Sequence, residues 1–186
     1  MLQFARRFPE RLLHPLRRYL VRRRLRGMPP PTSMLVVCYG NICRSPYGEA
    51  ALRRLVSAFS LGRIRVDSAG FIGPHRAPPP EARDVAASRG LDLSRHQSKL
   101  LSPELARGSD LILVMDGQQA SAIHHRYGVS TRRIVVLGDL DPEPIKTRAI
   151  KDPVEQPRPV FEESYDRIDR CLDVLVHSVR WAPGRG

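Results

Sequence analysis

The sequence predicts an α/β domain: a four-stranded parallel sheet with helices on both faces and a phosphate-binding loop after strand one. Three observations predict it. From residue 34 onward, short apolar runs of strand length alternate with helical stretches, the pattern of a parallel sheet. The first run leads into Cys38-Tyr-Gly-Asn-Ile-Cys-Arg-Ser-Pro46, a tight loop before a helix, and such a junction binds anions through inward N–H groups and the helix dipole. The chain has 186 residues and 41% hydrophobic content, enough for one core.

The elements follow in order. Residues 34–37 (Met-Leu-Val-Val) form strand one. A helix over about 46–59 follows, with Ala50, Ala51, Leu52 and Leu55 supplying apolar positions. Strand two spans 64–67 and ends at Ser68-Ala69-Gly70. Three prolines lead into a helix over about 81–88, stopped by Gly90. Ser102-Pro-Glu104 caps another short helix. The continuous apolar run 110–114 predicts a buried strand three, 117–126 a helix, and 133–137 strand four. A loop of roughly twenty residues precedes a closing helix over about 161–179.

Residues 1–33 predict a basic, flexible extension before a domain over 34–182. The extension holds nine arginines (Arg6, Arg7, Arg11, Arg17, Arg18, Arg22, Arg23, Arg24, Arg26) and one glutamate, a net +8 of the whole chain's +12. Pro9 and Pro15 argue against one continuous helix and favour a short one from Pro15 to about Arg26, with Leu16, Tyr19 and Leu20 on one face. The Gly27-Met-Pro-Pro-Pro31 run then forms a stiff linker. Its charge suits a weak contact with anionic membrane lipid; a transit peptide, a solvated tail, and a start at Met28 or Met34 are the other readings.

Composition excludes several classes. No apolar run approaches the ~20 residues that span a bilayer. Three cysteines, Cys38, Cys43 and Cys171, make neither a disulfide framework nor a zinc site. They fit a reducing compartment, so a cytoplasmic protein without metal or cofactor is expected. The arginines are not interleaved with stacking aromatics, which argues against nucleic acid as a partner.

The loop carries the chemistry. Cys38 at its mouth is placed to ionise to a thiolate. Arg44, after five intervening residues, can fold back onto two oxygens of a phosphate. An oxyanion cradle with a sulfur nucleophile suits phosphoester cleavage through a phosphocysteine.

With Gly40, Asn41, Cys43, Ser45 and Pro46 at their places, the run closely resembles the signature of low-molecular-weight protein tyrosine phosphatases. The resemblance covers roughly residues 34–179 and leans toward bacterial members linked to exopolysaccharide or capsule production. It implies phosphotyrosine hydrolysis with Cys38 as nucleophile, Arg44 binding phosphate, and an Asp-Pro pair before the last helix supplying the general acid. Asp152-Pro153, after Ile150-Lys151, fits that place best, with Asp141-Pro142 as runner-up. Tyr39, Gly40, Asn41, Ile42, Cys43 and Ser45 are implied to contact substrate, with Ile42 facing its ring. Asn41 is expected in a left-handed conformation, Ser45 to donate to the Cys38 sulfur, and Ser68 and His96 to support the loop. Asp116 also matches the family and is read as structural. A Cys38–Cys43 disulfide would protect the nucleophile from overoxidation. The implied partner is a phosphotyrosine protein, in bacterial members a tyrosine autokinase.

Val154-Glu155 after Pro153 departs from the aromatic residue the family often has there, leaving Phe71, Tyr39 or Tyr47 to line the pocket. Two enzymes of the same fold compete. Protein-arginine phosphatases are associated with Thr at the Ile42 position. Thioredoxin-linked arsenate reductases need relay cysteines mid-chain, and none lies between Cys43 and Cys171. A basic-tailed nucleic-acid- or membrane-binding module without catalysis is the reading from another class.

Overall fold

Met34, Leu35, Val36 and Val37 are apolar on both faces of a strand, so the strand they form has to be central. In the computed structural model it is. The structure describes residues 2–59, 61 and 63–181, with side chains from residue 10 onward; the expected domain end at 182 lies outside them. In chain order the elements are α1 (Leu2–Arg26), β1 (Ser33–Cys38), α2 (Arg44–Ala58), β2 (Arg65–Gly70), α3 (Pro80–Ala87), α4 (Pro103–Arg107), β3 (Leu111–Val114), α5 (Gly117–Tyr127), β4 (Ile134–Val136) and α6 (Arg158–Val176). The four strands form one sheet, order β2-β1-β3-β4, every pair parallel.

Alternation along β1 divides the core. Met34, Val36 and Cys38 face a large cluster with Leu52 of α2 and Phe161, Ile168 and Leu172 of α6. Leu35 and Val37 face a smaller one with Ala106 of α4 and Ile123 of α5. Helices thus cover both faces, and the two central strands, β1 and β3, have a partner strand on each side. The carboxyl end of β1, beside the ends of β2 and β3, is where such sheets place ligands.

Two boundaries differ from expectation for local reasons. α2 starts at Arg44, which puts Pro46 inside its first turn, where no N–H partner is needed. α6 starts at Arg158, capped by Pro157 with Pro159 in its first turn.

The larger correction concerns the N-terminus. The expected flexible extension with a helix beginning at Pro15 is instead one helix, Leu2–Arg26. Pro15 removes one N–H from the ladder, and docking outweighs that cost. Leu25 is 1% exposed in the main core and His14 is 4% exposed. His14 Nε2 donates to the Asp141 carbonyl at 2.9 Å, Arg18 to the Pro142 carbonyl at 2.7 Å, and Arg24 to the carbonyls of Thr131 and Ile134, each at 3.0 Å. Charges expected to be solvated are thus in part spent on backbone carbonyls of the body, which composition does not reveal. The side chains of Arg6 and Arg7 lie outside the described ones.

Candidate active site

The loop from Cys38 to Arg44 is held from outside by its carbonyls. Tyr39 O accepts from the Phe71 N–H at 2.8 Å, Gly40 O from Arg76 at 2.8 Å, Asn41 O from His96 Nε2 at 2.9 Å and Cys43 O from the Tyr165 hydroxyl at 3.3 Å. A peptide whose C=O points out points its N–H in. The N–H edges therefore converge on the sulfur side, and the Asn41 N–H lies 3.2 Å from Cys38 Sγ. Asn41 adopts φ +51, the left-handed conformation expected of it. Gly70 closes the loop from behind: a Cβ there would sit 2.8 Å from the Asn41 nitrogen and 2.9 Å from the Tyr39 carbonyl oxygen.

One hydrogen-bond chain fixes the polarity at the sulfur. Ser68 Oγ donates to Glu49, which as a carboxylate only accepts, at 2.6 Å. Asn41 Nδ2 donates to Ser68 Oγ at 2.9 Å and to Ser45 Oγ at 2.8 Å, while Asn41 Oδ1 accepts from the Lys99 N–H at 2.9 Å. The Ser45 proton has two acceptors, Cys38 Sγ at 3.0 Å and, at the longer 3.5 Å, the Ala69 carbonyl. The Ser45 hydroxyl and the Asn41 N–H thus both address the sulfur.

Arg44 is 4% exposed. Its guanidinium donates to the Ile150 carbonyl at 3.0 Å and pairs with the Asp152 carboxylate, and its buried Nε has no partner. Ile150 is itself tied to the end of β3, its N–H donating to Met115 O at 2.9 Å. That bond and the Arg44 contact bring the Asp152 segment back over the loop. A cleft of about 580 Å³ opens there, lined by Arg44, Asp152, Tyr39, Phe71, Gln118 and Lys151 among others.

The structure brings Cys38, Tyr39, Gly40, Asn41, Cys43, Arg44, Ser45, Ser68, His96 and Asp152 together around one loop. It separates others. Asp141 is 2% exposed, and its carboxylate is held by Arg167 at 2.8 Å and Arg170 at 3.3 Å, under α6. Ile42 does not line the cleft with Arg44; it faces a neighbouring groove with Val154, Glu155 and Phe161. Tyr47 does not line the cleft either. It is fully buried, stacked on Tyr165 with ring centroids 3.7 Å apart, and donates to Asp169 at 2.6 Å. Asp116 caps α5 through the Gln119 N–H at 2.8 Å, in keeping with a structural part.

Burial, reinforced by nearby Cys38 and Asp152, pushes the Cys43 thiol up to about 12. Burial also raises the Cys171 thiol, which is 0% exposed on α6. Among the described residues, no three His, Cys, Asp or Glu side chains gather as a metal site.

Sequence reasoning missed Arg76 and Glu49. Arg76 donates to the nearby Ile72 and Gly73 carbonyls and to that of Gly40, 36 residues away, and nothing local announces the last. Glu49 lies one helical turn after Ser45, a spacing that puts both on one face of α2 and was a usable signal.

Residues 33–182 match the family described as low molecular weight phosphotyrosine protein phosphatase. The chain is 39% identical over 150 residues to the probable low molecular weight protein-tyrosine-phosphatase EpsP of Ralstonia nicotianae, covering 80% of this chain and 96% of that protein. It is 34% identical over 140 residues to the low molecular weight protein-tyrosine-phosphatase Etp of Escherichia coli K12, covering 75% and 88%. Among solved structures, the Erwinia amylovora tyrosine phosphatase amsI superposes with a TM-score of 0.72 at 28% identity, covering 82% and 96%. α1 lies outside the matched span.

Proposed function

The chain belongs to the low molecular weight phosphotyrosine protein phosphatase family, and from that premise we propose that Cys38, Arg44 and Asp152 carry its reaction. It is a protein-tyrosine phosphatase, a phosphoric monoester hydrolase. The observation behind the residue roles is convergence: nucleophile and guanidinium lie at the two ends of one loop, and the carboxylate comes to it from a segment more than a hundred residues away.

A phosphotyrosine dianion enters the cleft with its ring against Tyr39 and Phe71, and its phosphoryl oxygens take the loop N–H groups and Arg44. It displaces the Asp152 carboxylate from Arg44. The Cys38 thiolate attacks phosphorus in line, forming the S–P bond as the P–O bond to tyrosine breaks. Protonated Asp152 gives its proton to the departing phenolate oxygen. Water then attacks the phosphocysteine, Asp152 takes its proton, and the S–P bond breaks to return thiolate and inorganic phosphate. Ser45 donates to the sulfur each time it leaves as an anion.

The substrate is a phosphotyrosine protein, and a bacterial tyrosine autokinase acting with exopolysaccharide or capsule production, met in the cytoplasm, is the partner that fits the resemblance. Arsenate reduction by a cysteine relay is disfavoured because Cys171 is sealed in the core.

Hydrolysis of p-nitrophenyl phosphate and of a phosphotyrosine peptide tests the reading. Wild-type turnover that Cys38→Ser abolishes supports it. Turnover surviving that change, or a wild type active on phosphoarginine and inactive on phosphotyrosine, sinks it.

A further inference from the structure

α1 turns its apolar residues outward. Leu12 is 65% exposed, Leu13 44%, Leu16 55%, Tyr19 59% and Leu20 49%. At helical spacing these five lie within an arc of about 120°. The opposite arc holds His14, Arg18, Val21 and Leu25, which face the body through the contacts already described. A soluble helix ordinarily buries its leucines and exposes its arginines; here the arrangement is reversed along three turns.

Charge identifies what covers the stripe. Arg11, Arg23 and Arg26 are exposed, Arg26 bordering the stripe and Arg23 continuing it toward the helix C-terminus. Residues 1–33 contain one acid, Glu10, and it is turned to the body, where its Oε2 accepts from the Arg148 N–H at 3.1 Å. The outer face of residues 10–26 is therefore leucine, tyrosine and arginine with no carboxylate. A second copy would bring two such cationic faces together. An anionic lipid surface takes both components: acyl boundary for the leucines, headgroups for the arginines, and the interface for the Tyr19 ring. Among the described residues no helix is long and apolar enough to cross a membrane, so α1 lies in the surface plane.

We propose that α1 docks this phosphatase on anionic membrane lipid, with Leu12, Leu13, Leu16, Tyr19 and Leu20 entering the headgroup boundary and Arg23 and Arg26 engaging phosphate headgroups. The stripe belongs to a part of the chain outside the matched family span, so the docking is an addition to the catalytic domain.

The test is co-flotation of the full chain with phosphatidylcholine vesicles containing about one-third phosphatidylglycerol, beside pure phosphatidylcholine vesicles. Wild type is expected to float with the first and not the second. The pair Leu16→Gln and Leu20→Gln, and separately the pair Arg23→Gln and Arg26→Gln, should each lower partitioning by about tenfold or more. Both pairs are surface changes, and unaltered melting and p-nitrophenyl phosphate turnover would show an intact fold. Equal flotation with neutral vesicles, no flotation at low salt, or flotation indifferent to the leucine pair overturns the proposal. So does a concentration-dependent dimer, without vesicle binding, that the leucine pair dissolves.

Discussion

Asp152 is paired with the guanidinium of Arg44, the group we propose to bind phosphate. The carboxylate side chain is 41% exposed and Arg44 5%, so Asp152 is the partner free to move. Asp152→Asn is expected to slow turnover of phosphotyrosine peptide by about 10²–10⁴-fold, the usual size of a general-acid contribution. The same change should tighten inhibition by inorganic phosphate by roughly fivefold, because the anion no longer displaces a charged competitor from a half-exposed pair. Steady-state kinetics with phosphate as inhibitor reads both numbers, and an unchanged inhibition constant would contradict the competition.

Asp141 makes the opposite prediction. Its carboxylate is buried between Arg167 and Arg170, and its own carbonyl receives His14. Asp141→Ala leaves Arg167 without an anion and Arg170 with Glu143 alone, and breaking a buried pair costs about 3 kcal/mol. Chemical denaturation should show that loss, while kcat of the folded fraction stays near wild type. A kcat collapse in a protein of undiminished stability would return Asp141 to the chemistry.

For the Cys38–Cys43 disulfide, the high Cys43 value sets the pH dependence. With its thiol near 12, on the order of one molecule in 10⁵ carries the Cys43 thiolate at pH 7. If peroxide converts Cys38 to a sulfenic acid, trapping by Cys43 should accelerate about tenfold per pH unit between pH 7 and 9. Mass spectrometry of quenched samples follows the disulfide; a rate flat across that range would show that Cys43 ionisation does not limit trapping.

Asp110 at the start of β3 predicts an acid-sensitive edge. Burial would raise its carboxyl, but the N–H and hydroxyl groups of Thr32 and Ser33 outweigh that and hold it below the ordinary carboxylate value. A carboxyl lowered by folding stabilises above its unfolded value, about 3.9, and the contribution fades as pH falls through the folded one. Asp110→Asn should therefore be less stable than wild type by about 1 kcal/mol at pH 7, with the gap closing below about pH 4. Urea melts at pH 7 and pH 3 compare the two; a gap of equal size at both would rule out the ionised carboxylate as its source.

What was legible in the sequence was what short spacing encodes. The run of four apolar residues before Cys38 specified a strand buried on both faces, and the loop residues named their own neighbours within seven positions. Motif context points to Asp152 over Asp141, while what holds the Asp141 carboxylate under α6 is an arginine pair more than twenty residues distant in sequence. Arg76 was invisible for the same cause: its role is to cap carbonyls that sequence does not orient. α1 was misjudged because proline rules weigh a helix in isolation, whereas tertiary contacts of His14, Arg18, Arg24 and Leu25 decide the matter here. Ile42 is placed toward the substrate by its position in the motif, and in the structure it lines the groove with Val154, Glu155 and Phe161, a neighbourhood that spacing does not encode.

The left-handed turn at Asn41 has a thermodynamic consequence. It exists in a loop four of whose carbonyls already accept from Phe71, Arg76, His96 and Tyr165. The ordering entropy of the cradle is lost when the chain folds, not when an anion arrives. Calorimetry of oxyanion binding should accordingly report a small heat-capacity change, since little apolar surface changes exposure, and selectivity among tetrahedral anions becomes a matter of size and charge set by a frame that does not adjust to its guest.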